Sequence, residues 1–225
     1  MSNVLNPVEL TSALIKCRSI TPASAGSIDL IISYLEPMGF TCTKIDFGQG
    51  DEKVENLYAR FGSLEPNICF AGHVDVVPTG DEQSWSIDPF GGEIKKGKIW
   101  GRGAADMKSG IAAFIAAVSE FMETNKNLKD YGSISFIITS DEEGKAINGT
   151  KKVVEWLINK SEKISGCLVG EPTNVNQMGD TIKIGRRGSF TGSLIVKGIQ
   201  GHVGYPDLAE NPINSLLKML EPFTK

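Results

Sequence analysis

Histidine is nearly absent from this chain: 225 residues contain two, His73 and His202. Chemistry that needs a cluster of imidazoles is therefore excluded. Cysteine is scarce too. Cys17, Cys42, Cys69 and Cys167 include no CxxC pair, which excludes the thiolate zinc sites and thioredoxin-type motifs that rely on that spacing. Three of the four lie in apolar stretches, so reduced, buried thiols in a cytosolic protein are expected. Basic charge is not in excess: 23 Lys and Arg face 27 Asp and Glu, for a net charge of −4. Neither nucleic acid nor an anionic membrane is expected as the main partner of such a surface. No apolar run approaches the roughly 20 residues of a membrane span. Met1–Glu9 has neither a basic nor an apolar leader region, so no signal peptide and a cytoplasmic location are expected. Internal repeats and low-complexity segments are also missing.

What is present is a globular composition, 40% hydrophobic with charges interspersed, ample for a packed core. Asn6-Pro7-Val8-Glu9 has the marks of a helix start, with a capping residue, a proline in the first turn and then an acid. That helix is predicted to run to about Cys17. "GSIDLIISYLEPMGF" has helical spacing and ends near Pro37. "TCTKIDF" and "ENLYARFG" alternate as half-buried strands do. "NICFAG" is nearly all apolar, as a central parallel strand is. "MKSGIAAFIAAVSEFME" predicts a long helix, "GSISFIITS" a strand, "GTKKVVEWLIN" a helix and "ISGCLVG" a short buried strand. Alternation of strands and helices predicts an α/β fold with a mixed, largely parallel central sheet with covered faces. After about Gly179 the texture changes. "DTIKIGRRGSFTGSLIVKGIQG" predicts two strands around a Gly-rich turn, and "NPINSLLKMLEP" a helix capped by Asn211 with Pro212 at its first position. Residues 1–179 are thus expected to form one domain and 180–225 the start of a smaller α+β domain. Two strands and a helix rarely fold alone, so the chain is expected to be a fragment.

Polar groups gather where apolar runs end. His73 and Asp75, in "GHVDVVPTG", share one face of an extended segment, and the carboxyl ends of strands are where α/β sheets build sites. An H-x-D pair can supply a metal ligand and the group that orients it; a lone histidine of this kind is more often structural. Asp106, in "WGRGAADMKSG", lies between Gly101, Gly103 and Gly110. It can be a helix cap or a carboxylate presented into a cleft by a tight backbone path. "ITSDEEG" ends a strand in Asp141, Glu142 and Glu143. A solvated acidic turn is the ordinary fate of such a run, but at a buried strand end the acids repel and lose hydration, and a bound cation offsets both costs. Glu171 closes another strand in "CLVGEPTN". Four such clusters together supply imidazole and carboxylate donors that suit Zn²⁺, Co²⁺ or Mn²⁺.

"GHVDVVPTG", "WGRGAADMKSG", "TSDEEG" and "VGEPT", in this order, resemble the signature of the dinuclear zinc aminoacylase and carboxypeptidase superfamily, and the resemblance covers essentially the whole chain. The longer pattern "SWSIDPFGGEIKKGKIWGRGAADMKSGIAAF", with "IKIGRRGS" and "QGHVGYP", looks most like members that remove succinate from N-succinyl-L,L-diaminopimelate, more than their acetylornithine-deacetylating relatives. The resemblance implies a zinc-aminopeptidase-like catalytic domain, a ferredoxin-like dimerisation domain and a homodimer. It implies two zinc ions, with cobalt an alternative at one position. His73 and Glu171 would be terminal ligands of one ion, Asp106 the bridge, and Glu143 a ligand of the other. Glu142 would be the general base, with a purely charge-tuning carboxylate as the alternative, and Asp75 would orient His73. The Asp106–Met107 peptide would be cis. His202 would reach a neighbouring subunit's site and support the oxyanion. Arg186, with Tyr205 nearby, would bind a substrate carboxylate; two adjacent arginines, Arg186 and Arg187, are otherwise an ordinary solvated turn.

The match departs at Gly204, where relatives often have alanine, and at Asp207, where they often have histidine. More consequential, the second zinc of the family needs a later histidine, and both histidines here are already assigned. The expectation is about one tightly bound metal and little or no activity. Another deacylase or dipeptidase of the superfamily is an alternative, as is a non-catalytic metal-binding fragment.

Overall fold

The computed structural model describes residues 5–185, 188 and 191–224. They divide into two compact units, Met1–Asp180 and Thr181–Lys225.

In the first unit, α1 (Pro7–Lys16) starts where the sequence signals it: the Asn6 side chain accepts a hydrogen bond from the Val8 N–H, and Pro7 occupies the first turn. Helix α2 spans Ser27–Leu35. Strands β1 (Thr41–Phe47), β2 (Val54–Phe61) and β3 (Asn67–His73) follow, then a small hairpin of β4 (Glu93–Lys95) and β5 (Lys98–Trp100). The hairpin has no counterpart in the sequence reading. Its turn, Lys96-Gly97, has φ of 52° and 72°, the conformation that twists two short strands together; with three residues per strand it leaves no alternation to detect. Helix α3 (Ser109–Thr124), strand β6 (Ser133–Thr139), helix α4 (Thr150–Asn159) and strand β7 (Gly166–Val169) complete the unit.

The main sheet has the order β1-β2-β6-β3-β7. β1–β2 and β2–β6 pair antiparallel, whereas β3 runs parallel to both β6 and β7. One face is covered by α1, α2 and α3, with Leu10, Leu14, Ile28, Ile31, Ile111 and Ile115 packed on Phe70 and Phe136. The rings of Phe70 and Phe114 stack at 4.6 Å, and Phe136 meets Phe114 edge-on at 5.4 Å. On the other face, Val153 and Leu157 of α4 lie against Tyr58, Cys69 and Ile137. β6, flanked on both sides and covered on both faces, is buried along its whole length.

Three expectations are corrected. β7 is an edge strand rather than a buried one: Leu168 and Val169 are 53% and 52% exposed. A short Cys-Leu-Val run reads the same in either place, because edge position depends on which strands pair. Of the cysteines only Cys69 is buried; Cys17 and Cys42 are half-buried and Cys167 is exposed. In the second unit, the described residues of the Asp180–Gly201 stretch form no strand, only a bridge between Ile199 and Glu210. Ile182, Ile184 and Ile195 are 84%, 102% and 81% exposed, and a ladder with no covered face is marginal. The unit's helix α5 (Pro212–Leu220) does form, with the Asn211 side chain accepting from the Ile213 N–H.

Among the described residues, no helix is long and apolar enough to cross a membrane.

Candidate metal centre

Because β3, β6 and β7 are parallel, their carboxyl ends lie along one edge of the sheet. Register then does the rest: His73 sits beside Thr139, so the chain leaving β6 places Asp141, Glu142 and Glu143 next to the imidazole. Gly170 and Glu171 leave β7 at the same edge. Asp106 arrives from the other direction, on an irregular turn before α3. Its φ and ψ, −124° and 101°, are extended, and the Asp106–Met107 peptide is cis. Gly103, at φ 81°, takes a backbone conformation that side chains resist, and a Cβ there would lie 2.7 Å from Val76.

The result is convergence on one nitrogen. His73 Nε2 lies 3.1 Å from Asp106 Oδ1, 3.5 Å from Glu171 Oε1 and 4.0 Å from Glu142 Oε2. His73, Asp106 and Glu143 can offer ligand atoms within 4.8 Å of one another, and so can His73, Glu142 and Glu171. His73 is buried, whereas the carboxyl groups keep partial access to solvent. Its Nδ1 lies 2.9 Å from the Asp75 carbonyl oxygen and 3.5 Å from that residue's carboxylate. The Asp75 carboxylate itself accepts from the backbone N–H of Glu142 at 3.1 Å and of Glu143 at 3.0 Å. Asp75 therefore touches both the imidazole and the backbone that carries the two glutamates.

The electrostatics are those of a cation site. Burial pushes the His73 pKa down, but Asp75 and Glu171 outweigh it and bring the value up to about 11. Burial, then the Glu171 carboxylate, raises Asp106 against the pull of His73. Glu143 is raised by burial and by Asp106. Asp75 moves the other way: burial raises it, but His73 and the two N–H donors hold it below the usual carboxylate range. Crowded carboxyl groups of raised pKa repel one another, and a divalent cation relieves that repulsion. One imidazole and several carboxylate oxygens, without a thiolate, suit zinc, cobalt or manganese.

Two supporting residues carry no role in the sequence reading. Asp141 accepts from the N–H groups of Ala146, Ile147 and Asn148, fixing the loop beyond Glu143. Lys108 is fully buried and donates to the carbonyls of Leu14 and Cys17, tying the turn that bears Asp106 to the end of α1. A run of three acids does not reveal which one faces inward, and the partners of Lys108 are remote in sequence.

Arg186 lies outside the described residues. His202 and Tyr205 belong to the second unit and are exposed there. Their rings are 5.7 Å apart, and the Tyr205 N–H donates to the His202 carbonyl at 2.9 Å. His202 Nδ1 accepts from the Gly204 N–H at 3.0 Å.

Comparison with known proteins shows the family of the chain. A succinyl-diaminopimelate desuccinylase of Rhodospirillum centenum is 56% identical over 216 residues, 96% of this chain and 55% of that protein. Another, from Parvibaculum lavamentivorans, is 50% identical over 216 residues, 96% of this chain and 54% of that protein. The chain spans about half the length of these curated relatives. Human carnosine dipeptidase 1 shares the fold, with a TM-score of 0.60 at 24% identity over 72% of this chain and 37% of that one. The family model for peptidase family M20/M25/M40 matches residues 69–217, the stretch that begins in β3 and carries His73, Asp75, Asp106, Glu142, Glu143 and Glu171, and the chain belongs to that family.

Proposed function

We propose that this chain is the metal-binding part of an amide hydrolase that removes succinate from N-succinyl-L,L-diaminopimelate. The observation that carries the reading is the closing of Asp106, Glu142 and Glu171 around His73 Nε2, in a chain half identical to proteins named for that reaction.

His73, Asp106 and Glu171 hold one divalent ion, zinc by the preference of the donor set. Asp106 and Glu143 supply part of a second position, where cobalt is the alternative to zinc. When bound, the metal supplies Lewis acidity that activates water and polarises an amide carbonyl. Glu142 takes the proton from the attacking water and returns it to the departing amine nitrogen. Asp75 holds the imidazole and the Glu142 backbone in place while this happens. Arg186, with Tyr205, binds a substrate carboxylate, and His202 supports the developing oxyanion of a partner subunit in a homodimer, as the resemblance implies. We place the protein in the cytoplasm, where lysine and diaminopimelate are made.

A second reading, metal binding without turnover, is favoured by one fact: the chain has two histidines, and the family's second zinc position calls for a third. The test is a substrate panel on zinc-loaded protein, run on this chain and on any longer polypeptide that contains it. Succinate released from N-succinyl-L,L-diaminopimelate at least a hundredfold faster than acetate from N-acetylornithine is the expected result for the longer form. Little or no release is expected from this chain alone. Preference for the acetyl substrate would overturn the assignment.

A further inference from the structure

Two cysteines outside the metal centre face each other across neighbouring strands. Cys69 of β3 and Cys167 of β7 are register partners in a parallel pair. Register partners of parallel strands project to the same face, and the strands are about 4.8 Å apart. That separation lies within the roughly 4.4–6.8 Å that a disulfide spans between Cα atoms. The Cys69 S–H donates to the carbonyl oxygen of Phe70 at 3.5 Å, and the two neighbouring thiols shift each other's acidity in opposite directions. Their surroundings are opposite. Cys69 is fully buried with Ile137, Val153 and Leu157, while Cys167 is exposed at the sheet edge.

We propose that Cys69 and Cys167 form a reversible cross-strand disulfide, with Cys167 as the attacking thiol and Cys69 as the resolving one. Hydrogen peroxide serves as the oxidant. The Cys167 sulfur attacks one peroxide oxygen; an S–O bond forms, the O–O bond breaks and the second oxygen leaves as water after taking a proton. The Cys69 sulfur then attacks the Cys167 sulfur. An S–S bond forms, the S–O bond breaks, and the departing hydroxide takes the Cys69 proton as water. Two thiols and one peroxide become a disulfide and two waters, with two electrons passing from sulfur to oxygen.

The division of labour follows from burial and charge. The neighbouring Cys69 thiol lowers the Cys167 thiol to about 7 against an opposing push from burial. The same pairing raises Cys69, and its own burial raises it further. The exposed sulfur is thus the one that is thiolate near neutral pH, and thiolate is the form that reacts. Cys17 and Cys42 offer no such pairing: burial raises both, Cys42 to about 11.

The consequence is mechanical. Among the described residues β7 is paired on one side only, and the bond would pin it to β3 four residues before His73 and Glu171. Edge strands open more readily than central ones, so oxidation is expected to slow amide exchange in Gly166–Val169 by about tenfold.

The test treats the chain with limiting peroxide and maps its peptides without reduction. The expected result is a linked pair of peptides carrying Cys69 and Cys167, a mass lower by two hydrogens, and full reversal by dithiothreitol. Cys69→Ser is expected to stop at a sulfenic acid trapped by dimedone, and Cys167→Ser to react with peroxide at least about tenfold more slowly. Because the map uses the unsubstituted chain, it reads out even if a variant folds poorly. Sulfinic acid at Cys167 with Cys69 still free, or a bond only between separate chains, would overturn the proposal. So would equal peroxide reactivity in Cys167→Ser.

Discussion

At the scale of single residues, the proposed mechanism would give different work to groups of the same type. Glu142 and Glu143 are adjacent, yet the geometry gives them different neighbours: Glu142 falls in a group with His73 and Glu171, Glu143 in one with His73 and Asp106. Ligand and base are separable by metal affinity alone, without turnover. Replacing a ligand removes a donor outright, so His73→Ala is expected to weaken zinc binding by well over a hundredfold. Asp75→Asn keeps every ligand but loosens the hold on His73 and on the Glu142 and Glu143 backbone. Losses of about 10–100-fold are typical of such outer partners, and that range is expected here. Glu142→Gln is expected to bind zinc within about threefold of the unaltered chain, because a base that faces water contributes little to ground-state coordination. Isothermal titration with zinc reads all three. A Glu142→Gln loss as large as that of His73→Ala would make Glu142 a ligand and remove the base from the scheme.

At the scale of elements, the site depends on close backbone approach between α3 and the end of β7. A Cβ on Gly110 would lie 2.5 Å from the carbonyl oxygen of Gly170, one residue before Glu171. Two effects compete in Gly110→Ala. Alanine favours the helix by about 1 kcal/mol over glycine, whereas overpacking against backbone costs about 1–3 kcal/mol. The obstructing atom is a carbonyl and cannot swing aside like a side chain, so the overlap wins. A lower urea midpoint and weaker zinc binding are expected together, since relieving the overlap moves Glu171. A midpoint that rises would show that helix propensity dominates and that the contact is soft. The same elements show what was legible from the sequence. Strong caps at Asn6 and Asn211 and the apolar run of β3 place their elements correctly, because those signals are local. The edge position of β7 and the partners of Lys108 are not local: each is decided by residues far away in the chain. The six residues at the centre were legible because each ends a strand or turn in a polar group that the apolar run before it does not explain. Glycine packing at Gly110 and Gly170 was not, since a sequence does not say which backbone a glycine faces.

For the molecule as a whole, metal binding is expected not to need the second unit. Both apolar clusters of the core, from Leu10 to Leu157, lie within Met1–Asp180, and so do all six residues of the centre. The second unit has its own character: Ile213 and Leu217 of α5 are 62% and 63% exposed, so it contributes little burial of its own. A chain shortened to residues 1–180 is therefore expected to unfold in one cooperative transition and to take up zinc with the affinity of the longer chain, changed by less than about threefold. Stoichiometry carries the sharper information. On the proposed assignment, one position would have His73, Asp106 and Glu171, enough protein ligands for a tight tetrahedral site with one place left for water; the other would have Asp106 and Glu143 alone. The expected titration is one tight equivalent followed by binding at least a hundredfold weaker, with the same curve for both lengths. Loss of the tight equivalent on shortening would mean that a donor lies beyond Asp180. Two equal tight equivalents would mean that the acidic edge of the sheet completes both positions without a third imidazole.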